Sequence, residues 1–162
     1  MRKGEFTFSF EEYENIDELG QIEAALLKVA RKLTGNAYAP YSQFLVGAVA
    51  RLANGEIITG TNQENASFPV GLCAERALLA SAATLFPDIP MEMMAISYRS
   101  LNGESNHPIS PCGMCRQAMQ EFEERTNSPI RLVLGGQDGK VIVIENSSML
   151  LPLAFTGNVL KR

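Results

Sequence analysis

Ile130-Arg131-Leu132-Val133-Leu134-Gly135-Gly136-Gln137-Asp138-Gly139-Lys140-Val141-Ile142-Val143-Ile144-Glu145 is the stretch on which the architecture turns. Residues 130–134 and 141–145 are β-rich runs, and a glycine-rich turn at 135–140 separates them. A parallel crossover needs about a dozen residues or more, so these two strands must pair antiparallel. Just upstream, a helix is predicted from near Pro111 to about Arg125, with proline at its start. Before it come a strand at 93–98 and a polar loop at 99–110.

Further outward, residues 73–83 are rich in Ala and Leu and read as a helix ended by the Pro87 region. Residues 44–52 read as a buried strand, and Asn54-Gly55 is a two-residue hairpin signal before a partner strand at 56–61. That pair should also be antiparallel. Ile22, Leu26, Val29 and Leu33 recur at the period of one helix face, and Gly35-Asn36 stops the helix. Phe6, Phe8 and Phe10 alternate with polar residues in a stretch that is either an edge strand or an arm lying on a neighbour.

At 162 residues and 46% hydrophobic, the chain suits one well-buried core. No apolar run approaches the roughly 20 residues of a membrane helix, and Met1-Arg2-Lys3-Gly4-Glu5 lacks the apolar stretch of a signal peptide. A soluble cytoplasmic protein with no membrane partner is expected. The net charge is −4 and no basic cluster is longer than Lys161-Arg162, which disfavours nucleic acid. There are three cysteines, an odd number, and Cys112 lies too near Cys115 for an ordinary disulfide staple.

Those three cysteines carry the chemistry. Cys73-Ala74-Glu75-Arg76 and Pro111-Cys112-Gly113-Met114-Cys115 hold all of them, with a carboxylate two residues after the first. Thiolates are favoured near the free N–H groups of a helix start, and three of them fill three corners of a tetrahedral zinc site, leaving one corner open. Glu75, on the same turn as Cys73, can then serve as proton carrier. Two other readings stand beside this one: His107 as a fourth ligand of a closed structural site, and Cys112 with Cys115 as a redox pair. Three thiolates around a divalent ion leave a charge of about −1, which works against ionisation of a bound water. Arg76 and Arg116, each directly following a motif residue, are candidates to donate hydrogen bonds to the sulfurs and offset it.

Cys73-Ala74-Glu75-Arg76 with Pro111-Cys112-Gly113-Met114-Cys115-Arg116-Gln117 resembles the signature of the zinc-dependent cytidine deaminases, in the three-cysteine form of the homotetrameric nucleoside enzymes. Tyr38-Ala39-Pro40-Tyr41-Ser42-Gln43-Phe44-Leu45-Val46-Gly47-Ala48 is similar to the family's first-strand segment. Gly60-Thr61-Asn62-Gln63-Glu64-Asn65-Ala66-Ser67 resembles its ribose loop, and Leu150-Leu151-Pro152-Leu153-Ala154-Phe155 its carboxy-terminal segment. The likeness covers most of residues 22–156. It implies a single catalytic domain at 22–162 preceded by an extension at 1–21. The fold it implies is a three-layer α/β/α sandwich on a mixed five-stranded sheet, with the last two strands antiparallel.

The resemblance further implies one zinc per subunit on Cys73, Cys112 and Cys115, with Glu75 moving protons as cytidine or deoxycytidine is hydrolysed to uridine or deoxyuridine and ammonia. Asn62 and Glu64 match the pair that holds the ribose hydroxyls. Phe44 and Ala74 would touch the substrate, and Phe155 would reach into a neighbouring subunit's site of a homotetramer. A carboxylate at Glu64 repels phosphate, so a free nucleoside is expected. Phe68-Pro69-Val70-Gly71-Leu72 and Gln63 depart from the usual pattern at equal length and bear on fine substrate preference. The rival functions are deamination of another cytosine nucleoside, such as an aminoacyl-nucleoside antibiotic, and a non-catalytic zinc-stabilised binding module. A polynucleotide deaminase fits less well, because relatives of that kind usually place a helix where residues 135–140 form a short turn.

Overall fold

Period-two alternation along the strands divides the molecule into layers. A computed structural model describes residues 1–157 and 160, so the Lys161-Arg162 pair lies outside the described residues. In chain order the elements are β1 (Glu11–Tyr13), α1 (Gln21–Leu33), β2 (Phe44–Leu52), β3 (Ile57–Thr61), α2 (Ala74–Leu85), β4 (Met91–Ser100), α3 (Gly113–Thr126), β5 (Arg131–Gly135) and β6 (Val141–Ile144). Val49, Ala95, Val133, Val141 and Val143 face one side of the sheet and bury against Leu26, Leu27 and Ala30 of α1. Ala48, Ala50, Met94, Ile96, Leu132 and Ile144 face the other, against Leu78 and Ala82 of α2 and Met119 and Phe122 of α3. The result is the three-layer α/β/α arrangement.

The sheet runs β1-β6-β5-β4-β2-β3. β2 pairs antiparallel with both β3 and β4, and β5 with β6, whereas β4 and β5 are parallel. α3 makes the crossover that the parallel pair requires. The expected five strands become six among the described residues, because Glu11–Tyr13 adds an antiparallel edge strand to β6. Charge holds it there: Lys140 Nζ lies 2.7 Å from Glu12 and 3.4 Å from Glu14, and Arg131 pairs with Glu11 at 3.3 Å. Phe6, Phe8 and Phe10 precede that strand, remain exposed, and contact one another at ring separations of 6.4 Å.

Three local expectations shift. The buried stripe of α1 is Leu26, Leu27 and Ala30, while Ile22 and Val29 are exposed; the helix is rotated toward the sheet by its contact with Val49 and Val133. At Asn54-Gly55 the ladder closes at Leu52 and Glu56, so the loop has three residues, with Gly55 at φ 88° in the left-handed region. Pro111 precedes the N-cap of α3 instead of opening its first turn, because Cys112 takes the cap.

Glycine sets the distance between α2 and the sheet. A Cβ on Gly60 would lie 2.3 Å from Ala74 O and 2.7 Å from Leu78 N. That close approach brings the first turn of α2 down onto β3.

Candidate active site

Both helices that pack on this face point their N-termini to the same place. Cys73 is the N-cap of α2 and Cys112 the N-cap of α3, each in extended conformation with its carbonyl accepting the first helical hydrogen bond. Cys115, one turn into α3, is fully buried. The three Sγ atoms lie within 4.8 Å of one another. Zinc with Zn–S bonds of about 2.3 Å sets tetrahedral sulfurs about 3.8 Å apart. The separations of 4.0 Å for Cys73–Cys112 and 3.5 Å for Cys112–Cys115 bracket that spacing, so the thiols fit the metal.

Electrostatics agree with the geometry. Cys73 is drawn down to about 6, chiefly by hydrogen bonding from Cys115, with Cys112 and the Arg76 charge adding to it. Cys115 is pushed far up by its hydrogen bond to Cys73 and by burial. Opposite shifts on two thiols this close mark a donor set that a divalent cation would relieve. Glu75 is buried at 6% exposure, and that burial, with the Cys73 charge, raises its carboxyl above the usual range. A carboxyl shifted upward holds a proton more readily than a solvent-exposed one.

A cavity of about 280 Å³ opens beside these groups, lined by Phe44, Val46, Asn62, Cys73, Ala74, Glu75, Ile109, Ser110 and Cys112. Six of the residues singled out from sequence therefore share one wall. Asn62 is held in place by its own amide: Oδ1 accepts from Val46 N at 2.7 Å and Nδ2 donates to Phe44 O at 2.8 Å. Glu64 does not line that cavity; it lines a separate depression with Tyr41, Ser42 and Phe68. Gln63, between Asn62 and Glu64, bridges Tyr38 on one side and Leu72 on the other. Glu64 Oε2 accepts from Tyr41 N at 2.8 Å and Ser42 N at 3.2 Å. Hydrogen bonding from the Ser42 side chain and these two amides holds its carboxyl below the usual range.

Other expected residues lie elsewhere. Phe155 is 62% exposed and meets its own chain through its carbonyl, which accepts from Gln117 Nε2 at 2.9 Å. Arg76 lines a groove between α2 and α3 with Leu79, Ala118 and Phe122 while keeping its charge near Cys73. Arg116 turns from the sulfurs to carbonyls: Nε donates to Pro111 O at 2.8 Å and Nη1 to Leu150 O at 2.9 Å. The returning carboxy-terminal segment supplies the second acceptor, which spacing within the motif does not reveal. His107 is no fourth ligand, since its ring sits edge-on to Tyr98 at 5.8 Å and lies outside the three-thiol cluster. Val46, Ile109 and Ser110 were missed. Val46 shares a strand face with Phe44 at i+2, and Ile109-Ser110 directly precedes the Pro111 motif, so both signals were present.

Two helix N-termini converging three thiols beside a buried carboxylate define a metal-dependent hydrolytic site. Residues 21–128 match the family described as the cytidine and deoxycytidylate deaminase zinc-binding region. A cytidine deaminase of Halalkalibacterium halodurans is 37% identical over 131 residues, covering 81% of this chain and 92% of the relative. The crystal structure of cytidine deaminase from Burkholderia pseudomallei superposes with a TM-score of 0.71 at 35% identity, over 85% of this chain and 100% of that one. The Mycobacterium tuberculosis cytidine deaminase gives 0.62 at 28% identity, over 81% and 94%. The chain belongs to the zinc-dependent cytidine deaminase family. No helix among the described residues is long and apolar enough to cross a membrane.

Proposed function

We propose the following division of labour in the deamination of cytidine and deoxycytidine by this chain. Cys73, Cys112 and Cys115 hold the metal, and zinc supplies a Lewis acid that makes water nucleophilic at neutral pH. Glu75 takes one proton of the attacking water and delivers it to N3 of the pyrimidine, then takes the proton of the hydroxyl newly formed on C4 and passes it to the amino group, which leaves as ammonia while C4 becomes a carbonyl. One carboxylate serves both steps because each acceptance is followed by a donation that restores the ionised form. The observation that carries this reading is a buried Glu75 on the wall shared with Cys73 and Cys112.

Phe44 and Ala74 flank the base, and Asn62 and Glu64 take the ribose hydroxyls. Asn62 Nδ2 keeps one N–H beyond the bond it makes to Phe44 O. The Glu64 carboxylate disfavours a phosphate in the same position, so the substrate is the free nucleoside and not a nucleotide or a nucleic acid. The net charge of −4 supports the same preference. Exposed Phe155 completes the site of a neighbouring copy in a homotetramer, and three free cysteines fit a reducing cytoplasm.

Conversion of cytidine to uridine, followed by absorbance, tests the assignment. Zinc-loaded protein should turn over, chelation should abolish the activity, and added zinc should restore it. Glu75→Gln should retain one zinc per chain and lose about 10²- to 10⁴-fold in rate. Near-normal turnover by that variant removes Glu75 from the mechanism.

A further inference from the structure

We infer that Tyr98 and His107 are positioning residues for the cavity, acting on substrate through Phe44 and through the loop that ends in Ile109-Ser110. The inference rests on reading that cavity as the nucleoside site. Tyr98 reaches it from behind. Opposite Val46 in the sheet register, it is 2% exposed and stacks under Phe44 with ring centroids 4.9 Å apart and planes at 18°. Phe44 lines the cavity and Tyr98 does not. The tyrosine therefore fixes the plane of a ring that contacts substrate without touching substrate itself.

The hydroxyl of a buried tyrosine needs a partner. Tyr98 Oη finds it in His107, 3.3 Å from both ring nitrogens, and His107 Nδ1 lies 3.3 Å from Asn106 Oδ1. His107 stands two residues before Ile109 in a segment without regular structure. The first half of that segment is clamped by the β5–β6 turn. Gln137 N donates to Ser105 O at 2.6 Å, and Gln137 Nε2 donates to Tyr98 O at 2.9 Å. A Cβ on Gly136 or Gly139 would lie 2.1 Å from Ser105 O or Asn106 O, respectively, so the fit tolerates no side chain there. The turn reaches as far as the His107 backbone, whose N would lie 3.1 Å from a Cβ on Gly136, and from there the Tyr98–His107 side-chain contact ties the segment to β4 before Ile109 and Ser110 enter the cavity wall.

Steady-state kinetics on Tyr98→Phe, His107→Phe and the double variant provide the test. Tyr98→Phe keeps the stack on Phe44 and removes only the hydroxyl. Each single variant should raise KM for cytidine about three- to tenfold, the range of one net hydrogen bond, with kcat within twofold and zinc content unchanged. The double variant should be no worse than either single one, because both remove the same bond. His107→Gln, which retains an acceptor, should recover most of the affinity. Unchanged KM, effects that add in the double variant, or no recovery with Gln would each overturn the inference. Phe44→Ala is the control: if it leaves KM unchanged, the reading of the cavity itself fails, whatever the other variants do.

Discussion

Asn62 and Val46 exchange two hydrogen bonds across the end of the sheet: Asn62 N donates to Val46 O at 3.3 Å, and Val46 N donates to Asn62 Oδ1 at 2.7 Å. A side chain here continues the ladder after the backbone of β3 has stopped pairing. One residue thereby closes the sheet and forms part of the cavity wall. Asn62→Ala leaves the Val46 amide and the Phe44 carbonyl without partners, and should cost about 1–3 kcal/mol. Denaturant unfolding and KM for cytidine should both worsen; a variant with wild-type stability would show that the ladder closes without this amide.

Gly60 governs how closely α2 approaches. Its added Cβ meets Ala74 O and Leu78 N, both backbone atoms that cannot swing aside. Gly60→Ala should cost about 1–3 kcal/mol by overpacking, and kcat should fall because the displaced turn carries Cys73 and Glu75. Thermal unfolding together with kcat checks this. Lost stability with full kcat would separate the packing from the site.

Arg76 and Arg116 follow the two motifs in parallel positions, yet the structure gives them different partners. The Arg76 charge favours the Cys73 thiolate, whereas Arg116 binds the Pro111 and Leu150 carbonyls. Arg76→Gln should therefore lower kcat with zinc and Tm retained. Arg116→Gln should lower Tm by releasing the carboxy-terminal segment from α3. Metal analysis, kcat and Tm on both proteins distinguish the two roles, and identical profiles would refute the division.

Glu64 bears on pH dependence. Its carboxyl is held below the ordinary value, first by the Ser42 side chain and then by the Tyr41 and Ser42 amides. With a depressed folded-state pKa, the tether is present above the unfolded carboxylate value of about 4.3 and is lost only as pH falls through the lower folded value. The Glu64 contribution to KM should accordingly be flat from about pH 8 to about pH 5, with Glu64→Gln raised throughout. A step in the ratio of the two KM values inside that window would contradict the assignment.

Much of this arrangement was legible locally. Period, composition and turn signals located α1 to α3 and β2 to β6 within a few residues, and the length of the 135–140 turn alone dictated the antiparallel β5–β6 pair. Thiolate chemistry and spacing marked Cys73, Cys112, Cys115 and Glu75, because those residues depend only on their position in the first turn of a helix. What lies beyond the reach of local pattern is who meets whom. The extra edge strand pairs with β6, more than 120 residues away in sequence, and Lys140 in the β5–β6 turn and Arg131 on β5 meet Glu12 and Glu11 there.

Arg116 faces Leu150 because the chain end returns over α3. His107, readable from sequence only as a possible ligand, becomes the partner of Tyr98. In each case the deciding contact joins segments far apart along the chain. Elements follow from short-range backbone preference and hydrophobic period, both properties of neighbouring residues. Partnerships follow from which buried polar groups remain unsatisfied once the layers have packed, and that condition arises only in the assembled fold.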